Sequence, residues 1–168
     1  MTVVYLIGFP GVGKSTALKD ATADWHILEQ RVQPFAHRIY TEGIILGRDR
    51  DGFPGTDTLS MSVNPKAIQF VQDHPGLIVG EGDRLANTPF LSACPDLLLI
   101  HLDAPIRVAA ERASQRAAEL GVPIQSPAWW KGRVTKVNNL LARFPHVTVN
   151  AQTPREDVAE VLRGLLGH

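Results

Sequence analysis

The sequence contains one cysteine, Cys94, so no internal disulfide can form, and in Ala93-Cys94-Pro95 it lacks the spacing of a metal knuckle or a redox pair. A small, half-buried side chain is the expected role. An excess of one charge is also missing, since 17 Lys plus Arg balance 17 Asp plus Glu. That balance excludes a general attraction to nucleic acid or anionic membrane and leaves only a local patch for any polyanion. Long apolar runs are absent too: Leu97-Leu98-Leu99-Ile100 is far shorter than the roughly 20 residues that cross a bilayer. Met1 to Ile7 carries no preceding positive charge and breaks at once into Gly8 and Pro10, as a strand does and a signal peptide does not. A soluble, reducing, cytoplasmic setting without membrane contact is expected. His26, His37, His74, His101 and His146 are dispersed without ligand spacing, so none is expected to hold a metal.

What is present is alternation. At 168 residues the chain has the length of one domain spanning 1–168. Val3 to Ile7 is a continuous β-branched and apolar run, as in a strand buried on both faces of a parallel sheet, and Leu77-Ile78-Val79, Leu97 to Leu102 and His146 to Val149 read similarly. Between them lie helices with start signals. Asn64-Pro65 offers a cap followed by proline, and Thr153-Pro154-Arg155-Glu156 reads as a capping box ahead of an apolar face of Val158, Val161, Leu162 and Leu165. Ile106, Ala109, Ala110, Ala113, Ala117 and Leu120 form a further stripe ending near Gly121, with Arg112 and Arg116 on another face. Such alternation predicts a three-layer α/β/α sandwich on a mainly parallel sheet. Two segments depart from it: residues 37–46, read as a hairpin turning near Glu42-Gly43 and followed by a glycine- and charge-rich loop over 48–62, and residues 121–139 with Trp129, Trp130, Lys131, Arg133 and Lys136. Both are expected over the mouth of the site.

The segment from Gly8 to Ser15, Gly-Phe-Pro-Gly-Val-Gly-Lys-Ser, matches GxxxxGK(S/T) in full and stands directly after a buried strand and before a helix. Backbone amides around Gly8, Gly11, Val12 and Gly13, continuing to Thr16 at the helix start, would cradle the phosphates of ATP. Lys14 would reach the terminal phosphates and Ser15 would bind Mg2+. This loop, with the chain's size and strand pattern, resembles the P-loop kinases of the nucleoside and nucleotide kinase kind. The resemblance implies a five-stranded sheet, a mobile helical lid and an acceptor site beside the phosphates. Phe53-Pro54-Gly55-Thr56-Asp57 with Leu59-Ser60-Met61-Ser62, and Trp130-Lys131-Gly132-Arg133, look similar to phage kinases that phosphorylate 5-hydroxymethyluracil within DNA.

Gly80-Glu81-Gly82-Asp83-Arg84 puts two carboxylates and a guanidinium at the carboxyl end of a strand, where open α/β sheets bind ligands. One carboxylate would accept the attacking hydroxyl's proton while the other holds magnesium through water, which makes Glu81 and Asp83 catalytic candidates and Ser15 with Asp83 the candidate metal set. The kinase resemblance favours Glu81 as base or magnesium partner, Arg84 as a phosphate contact, and Arg112 and Arg116 as lid arginines that close on the transferred group. On the acceptor side Arg48, Arg50 and Asp57 are candidates from the long loop, and Trp130, Lys131, Arg133 and Lys136 combine cations with flat apolar faces as single-stranded nucleic-acid sites do. The expected activity is transfer of the γ-phosphoryl group of ATP to a hydroxyl of a nucleotide-like acceptor, foremost 5-hydroxymethyluracil in DNA. A kinase of a free nucleoside, nucleotide or other small metabolite is the alternative, and a non-catalytic nucleotide-binding module a third reading. No NKxD guanine-reading motif occurs, which argues against a GTPase switch.

Overall fold

The computed structural model of the chain describes residues 2–49 and 55–167; Arg50 and the Phe53-Pro54 half of the first acceptor-loop motif lie outside the described residues. β1 (Thr2–Ile7) is central because Val3 to Ile7 are apolar on both faces and all buried. Val4 and Leu6 point into one core and Val3, Tyr5 and Ile7 into the other. On one side of β1 lies β5 (Leu77–Glu81) and on the other β6 (Leu97–Asp103), both parallel to it. β4 (Ile44–Leu46) and β7 (Val147–Asn150) extend the parallel set outwards. Those five strands match the expected parallel sheet, but among the described residues the sheet has seven, in the order β2-β3-β4-β5-β1-β6-β7. The two additional strands, β2 (Ile27–Arg31) and β3 (His37–Tyr40), are antiparallel additions, and the expected hairpin at Glu42-Gly43 is the turn joining β3 to β4. β2 is mixed in polarity and exposed throughout, so it has no period-2 signal to read.

From β1 the chain crosses to the edge strand β2, works inward through β3 and β4 to β5, and then passes to the other side of β1 to build β6 and β7, which makes the carboxyl end of β1 a topological switch point. α1 (Lys14–Ala21) and α6 (Arg155–Leu165) cover one face, joined by Arg155, whose guanidinium grips the Asp20 carboxylate. α2 (Asn64–Asp73) and α3 (Thr88–Ala93) cover the other, where Phe90 packs edge-on against Tyr5 with ring centroids 5.8 Å apart. Among the described residues no helix is long and apolar enough to cross a membrane. Cys94 is buried rather than half-buried; its thiol donates to the Phe90 carbonyl, and burial pushes its pKa up to about 12, so no thiolate forms near neutral pH.

Three local readings are corrected. Asn64 does not cap α2; its Oδ1 accepts a 3.0 Å bond from Asn87, which itself caps α3 by accepting from the Phe90 amide at 2.9 Å. Thr153 forms no capping box, because its hydroxyl turns back to donate to the Asn150 carbonyl, and Val161 is exposed on α6. The stripe on α4 (Ile106–Leu120) is not a core face either: only Ala109 is buried, while Ile106 and Leu120 are each 45% exposed. Its alanines serve close approach instead, with the Ala109 carbonyl and Ala113 lying against Gly11 of the phosphate loop. Residues 121–139 turn out to be a short connection and then α5 (Pro127–Arg143), capped by Ser126, whose Oγ accepts from the Trp129 amide. α4 and the first half of α5 stand where a helical lid is expected, but the second half of α5 packs Leu140 and Leu141, with Phe144 just after it, on the core.

Asn87 holds two connections at once, so Asn87→Ala should lower unfolding free energy by about 1–2 kcal/mol, a lost cap plus a lost side-chain bond. Urea unfolding monitored by circular dichroism checks this.

Candidate active site

The phosphate loop follows β1 directly. Gly13 ends it in the left-handed conformation and opens α1, which has no capping side chain and no acid in its first turn, so its leading amides remain available to an anion. Lys14 Nζ donates to the carbonyls of Gly8 and Phe9 at 3.0 and 3.2 Å, which holds the ammonium inside the loop. Lys14 retains some exposure toward the cavity, yet desolvation is the strongest influence on it and lowers its pKa; Glu81, Asp57 and Asp83 push the other way.

Opposite the loop stands the end of β5. In the β1–β5 register Glu81 lies beside Leu6, which delivers its carboxylate to the first turn of α1, and Ser15 Oγ donates to Glu81 Oε1 at 2.7 Å. Glu81 is 3% exposed. Burial raises its pKa to about 7, against the Ser15 hydrogen bond and the Lys14 charge, which lower it. The strand stops there because Gly82 adopts φ 110°, a left-handed value, and the chain turns out of the sheet.

That turn separates the two candidate carboxylates. Asp83 does not face Ser15; it is paired with Arg133 and, at 3.1 Å, with Lys136, both on α5, and Lys136 Nζ also donates to the Asp83 carbonyl at 2.8 Å. The candidate metal set is thereby redrawn: Glu81, not Asp83, stands with Ser15. Magnesium keeps most of its waters and needs few protein ligands, so a hydroxyl and one carboxylate 2.7 Å apart fit it, and among the described residues no group of three or more His, Cys, Asp or Glu forms a protein cage.

A cavity of about 960 Å³ runs along this face. It is lined by the phosphate loop with Thr16, by Glu81, Asp83, Arg84 and Asp57, by Arg112 and Arg116 from α4, and by Arg133 and Lys136 from α5. Arg112 makes long bonds to the carbonyls of Val12 and Ala151, at 3.4 and 3.5 Å, rather than pairing with Glu111. The charge of Arg116 is felt at both Lys14 and Glu81. Arg48, Trp130 and Lys131 are not on the cavity wall: Trp130 stacks edge-on with Trp129, Lys131 is exposed, and Arg48 bridges to Gly55 at the neck of its loop. Asp57 is on the wall, but its Oδ1 accepts from the amides of Asp83 and Arg84, so it braces the turn as well as facing the cavity.

Wall residues that sequence reasoning did not assign to the site are Gln125, Ala151 and Thr153 in the β7–α6 connection, and Arg155 and Val158 at the start of α6; Met61 is on the wall too, within the loop motif noted in the sequence. Position was the one available signal for that connection, since it leaves the carboxyl end of a parallel strand.

A family model described as P-loop Nucleotide Kinase3 matches residues 1–165. The chain belongs to that family. Among solved structures it is similar to a gluconokinase from Sinorhizobium meliloti 1021 (TM-score 0.57, 12% identity, 98% of this chain and 91% of that one). It is similar also to deoxyadenosine kinase from M. mycoides with bound dATP (TM-score 0.55, 13% identity, all of both chains) and to shikimate kinase from Aquifex aeolicus vf5 (TM-score 0.52, 19% identity, 98% and 96%). At such identities the likeness is one of fold. No curated protein sequence matches it significantly.

A buried carboxylate with a raised pKa has a definite linkage sign. The folded protein holds the Glu81 proton more tightly than the unfolded chain, so stability is greatest below about 4.5 and falls as pH rises toward about 7. At about 1.4 kcal/mol per unit of displacement, the cost above neutrality is on the order of 3–4 kcal/mol. Glu81→Gln should therefore be more stable than the native protein at pH 8 and show a much smaller difference at pH 5, in EDTA without nucleotide. Guanidinium midpoints at both pH values measure this; a difference independent of pH would contradict it.

Proposed function

We propose that this P-loop kinase transfers the γ-phosphoryl group of ATP to a hydroxyl of a nucleotide-like acceptor, with 5-hydroxymethyluracil in DNA the favoured one. The observation that carries the kinase reading is the Ser15–Glu81 hydrogen bond at the phosphate loop, inside a cavity that continues past Glu81. Ser15 would hold magnesium, with Glu81 touching the ion only through its water shell and so keeping its carboxylate free as a base. Bound there, the ion would neutralise phosphate oxygens of the nucleotide. Lys14 and the leading amides of α1 bind and orient the phosphates. The acceptor oxygen forms a bond to the γ-phosphorus as the bond to the bridging oxygen of ADP breaks, and the hydroxyl proton passes to the Glu81 carboxylate. A carboxylate that titrates near neutrality suits that proton transfer better than Asp83, which is occupied by Arg133 and Lys136. Arg112 and Arg116 on the lid spread the charge that develops on the transferred group.

The acceptor reading is supported by the far wall. Trp129 offers a flat face with the Arg133 guanidinium 5.1 Å from its ring centre, and Arg84, Met61 and Lys136 complete a wall suited to an extruded base. Lys131, exposed on α5, and Arg48, exposed next to its bridge with Gly55, are the candidates for backbone phosphates outside the cavity. A free-nucleoside or small-metabolite kinase is the second reading, favoured by the balanced net charge and by relatives whose names are gluconokinase, deoxyadenosine kinase and shikimate kinase.

Labelled ATP supplied with separate pools of 5-hydroxymethyluracil DNA, nucleosides, nucleotides and sugar acids decides between these readings. Label in the DNA pool, with binding that weakens steeply with salt, is the expected outcome, and Lys131→Ala should flatten the salt dependence by about one unit of slope. Transfer only to a free small molecule would leave the kinase and remove DNA. Lys14→Ala should lose most transfer, ~100-fold or more, while keeping its fold, since the lysine serves phosphate charge and not the core; a folded Lys14→Ala protein with native turnover would end the kinase reading.

A further inference from the structure

The acceptor loop and the phosphate site meet at three consecutive residues, Gly55, Thr56 and Asp57. Thr56 is fully buried, an unusual place for a hydroxyl on a loop otherwise rich in charge and glycine. Its Oγ1 donates to the main-chain carbonyl of Glu81 at 3.0 Å and lies 2.9 Å from the Tyr5 hydroxyl. Tyr5, buried in β1, donates in turn to the Gly82 carbonyl at 2.9 Å. The two hydroxyls thus anchor both carbonyls on either side of the point where β5 ends. On the far side of the turn, Asp57 Oδ1 accepts from the amides of Asp83 and Arg84, at 2.8 and 3.1 Å. Gly55 closes the remaining side: it lies so near the Glu81 carboxylate that a Cβ there would overlap Oε1. Four successive residues, Glu81 to Arg84, are therefore held through their backbones by the acceptor loop and by one core tyrosine.

A fold does not need this arrangement for stability alone. Strand β5 already pairs with β1 and β4, and its core side chains Ile78 and Val79 are fully buried without help from the loop. What the clamp adds is the position of the residue at the strand's end. A shift of the Glu81 backbone by even about 1 Å would break the 2.7 Å bond to Ser15, and misplacements of that size typically cost about 100-fold in rate.

We infer that Thr56 is a positioning residue for phosphoryl transfer, holding Glu81 against Ser15 through the Glu81 carbonyl, so that the loop carrying acceptor recognition also sets the reacting carboxylate. The inference rests on the proposed kinase activity, and its test separates the two. With the acceptor pool that the native protein labels, Thr56→Val should lower kcat by about 10- to 100-fold while changing KM for ATP and acceptor by less than threefold. Affinity for a fluorescent ATP analogue titrated in EDTA should stay within twofold. Thr56→Ser, which restores the hydroxyl, should recover turnover to within threefold of native. Tyr5→Phe, which keeps the Thr56 bond and removes the second anchor, should show the same split at smaller size and serves should Thr56→Val fail to fold. A native protein that labels no pool would sink the kinase reading. A native protein that is active, with folded Thr56→Val or Tyr5→Phe equally active, or with a loss that Thr56→Ser does not repair, would sink the positioning role and leave the kinase intact.

Discussion

The 2.7 Å bond from Ser15 to Glu81 joins the two halves of the site, and most of the surrounding structure can be understood as holding its ends in place. One end belongs to α1, whose register follows from the phosphate loop closing on β1. The other belongs to β5, whose register against β1 sets Glu81 beside Leu6. Because both strands are central and apolar on both faces, neither can slip by a residue without turning its core side chains toward the wrong layer. The burial that secures the sheet thus secures the chemistry at its edge.

That security has an electrostatic cost. A lysine and a glutamate are enclosed at the same place, each pushed by desolvation toward its neutral form, and each restrained by the other's charge. The phosphate site is therefore a region where a more apolar substitution would stabilise the protein, as is common where charge is retained for function. Around it the lid is bound in a different manner. α4 lies on the phosphate loop through small alanines, and α5 is tied to the end of β5 by Asp83 with Arg133 and Lys136. The ion pairs that hold the first half of α5 are half-exposed and of modest strength, whereas its second half is fixed by Leu140, Leu141 and Phe144 on the core.

Much of this was legible in the sequence, for physical reasons that differ by region. The phosphate loop announces itself because its function constrains consecutive residues, and the buried strands do so because they are apolar without interruption. The β3–β4 hairpin was visible in its turn. The alanine stripe of α4 misled, since close helix-to-loop approach and core packing both call for small apolar residues, and periodicity cannot distinguish them. Glu81 and Asp83 could not be told apart, because two carboxylates two residues apart would point the same way in a continuing strand; only the left-handed conformation of Gly82 sends them to different partners. Arg48, Trp130 and Lys131 were grouped with the site by chain neighbourhood, whereas the helical period of α5 turns Trp129, Arg133 and Lys136 to the cavity and Trp130 and Lys131 away from it.

If Ser15 and Glu81 act as one unit, their removal cannot be additive. A double-mutant cycle on kcat, with Ser15→Ala, Glu81→Gln and the two together, tests this directly under saturating ATP and magnesium with the acceptor that the native protein labels. Each single variant should lose on the order of 100-fold, and the double variant should lose little more than either alone. Losses that multiply, so that the double variant falls by the product of the two singles, would mean that the hydroxyl and the carboxylate work independently and that the bond between them is incidental to the reaction.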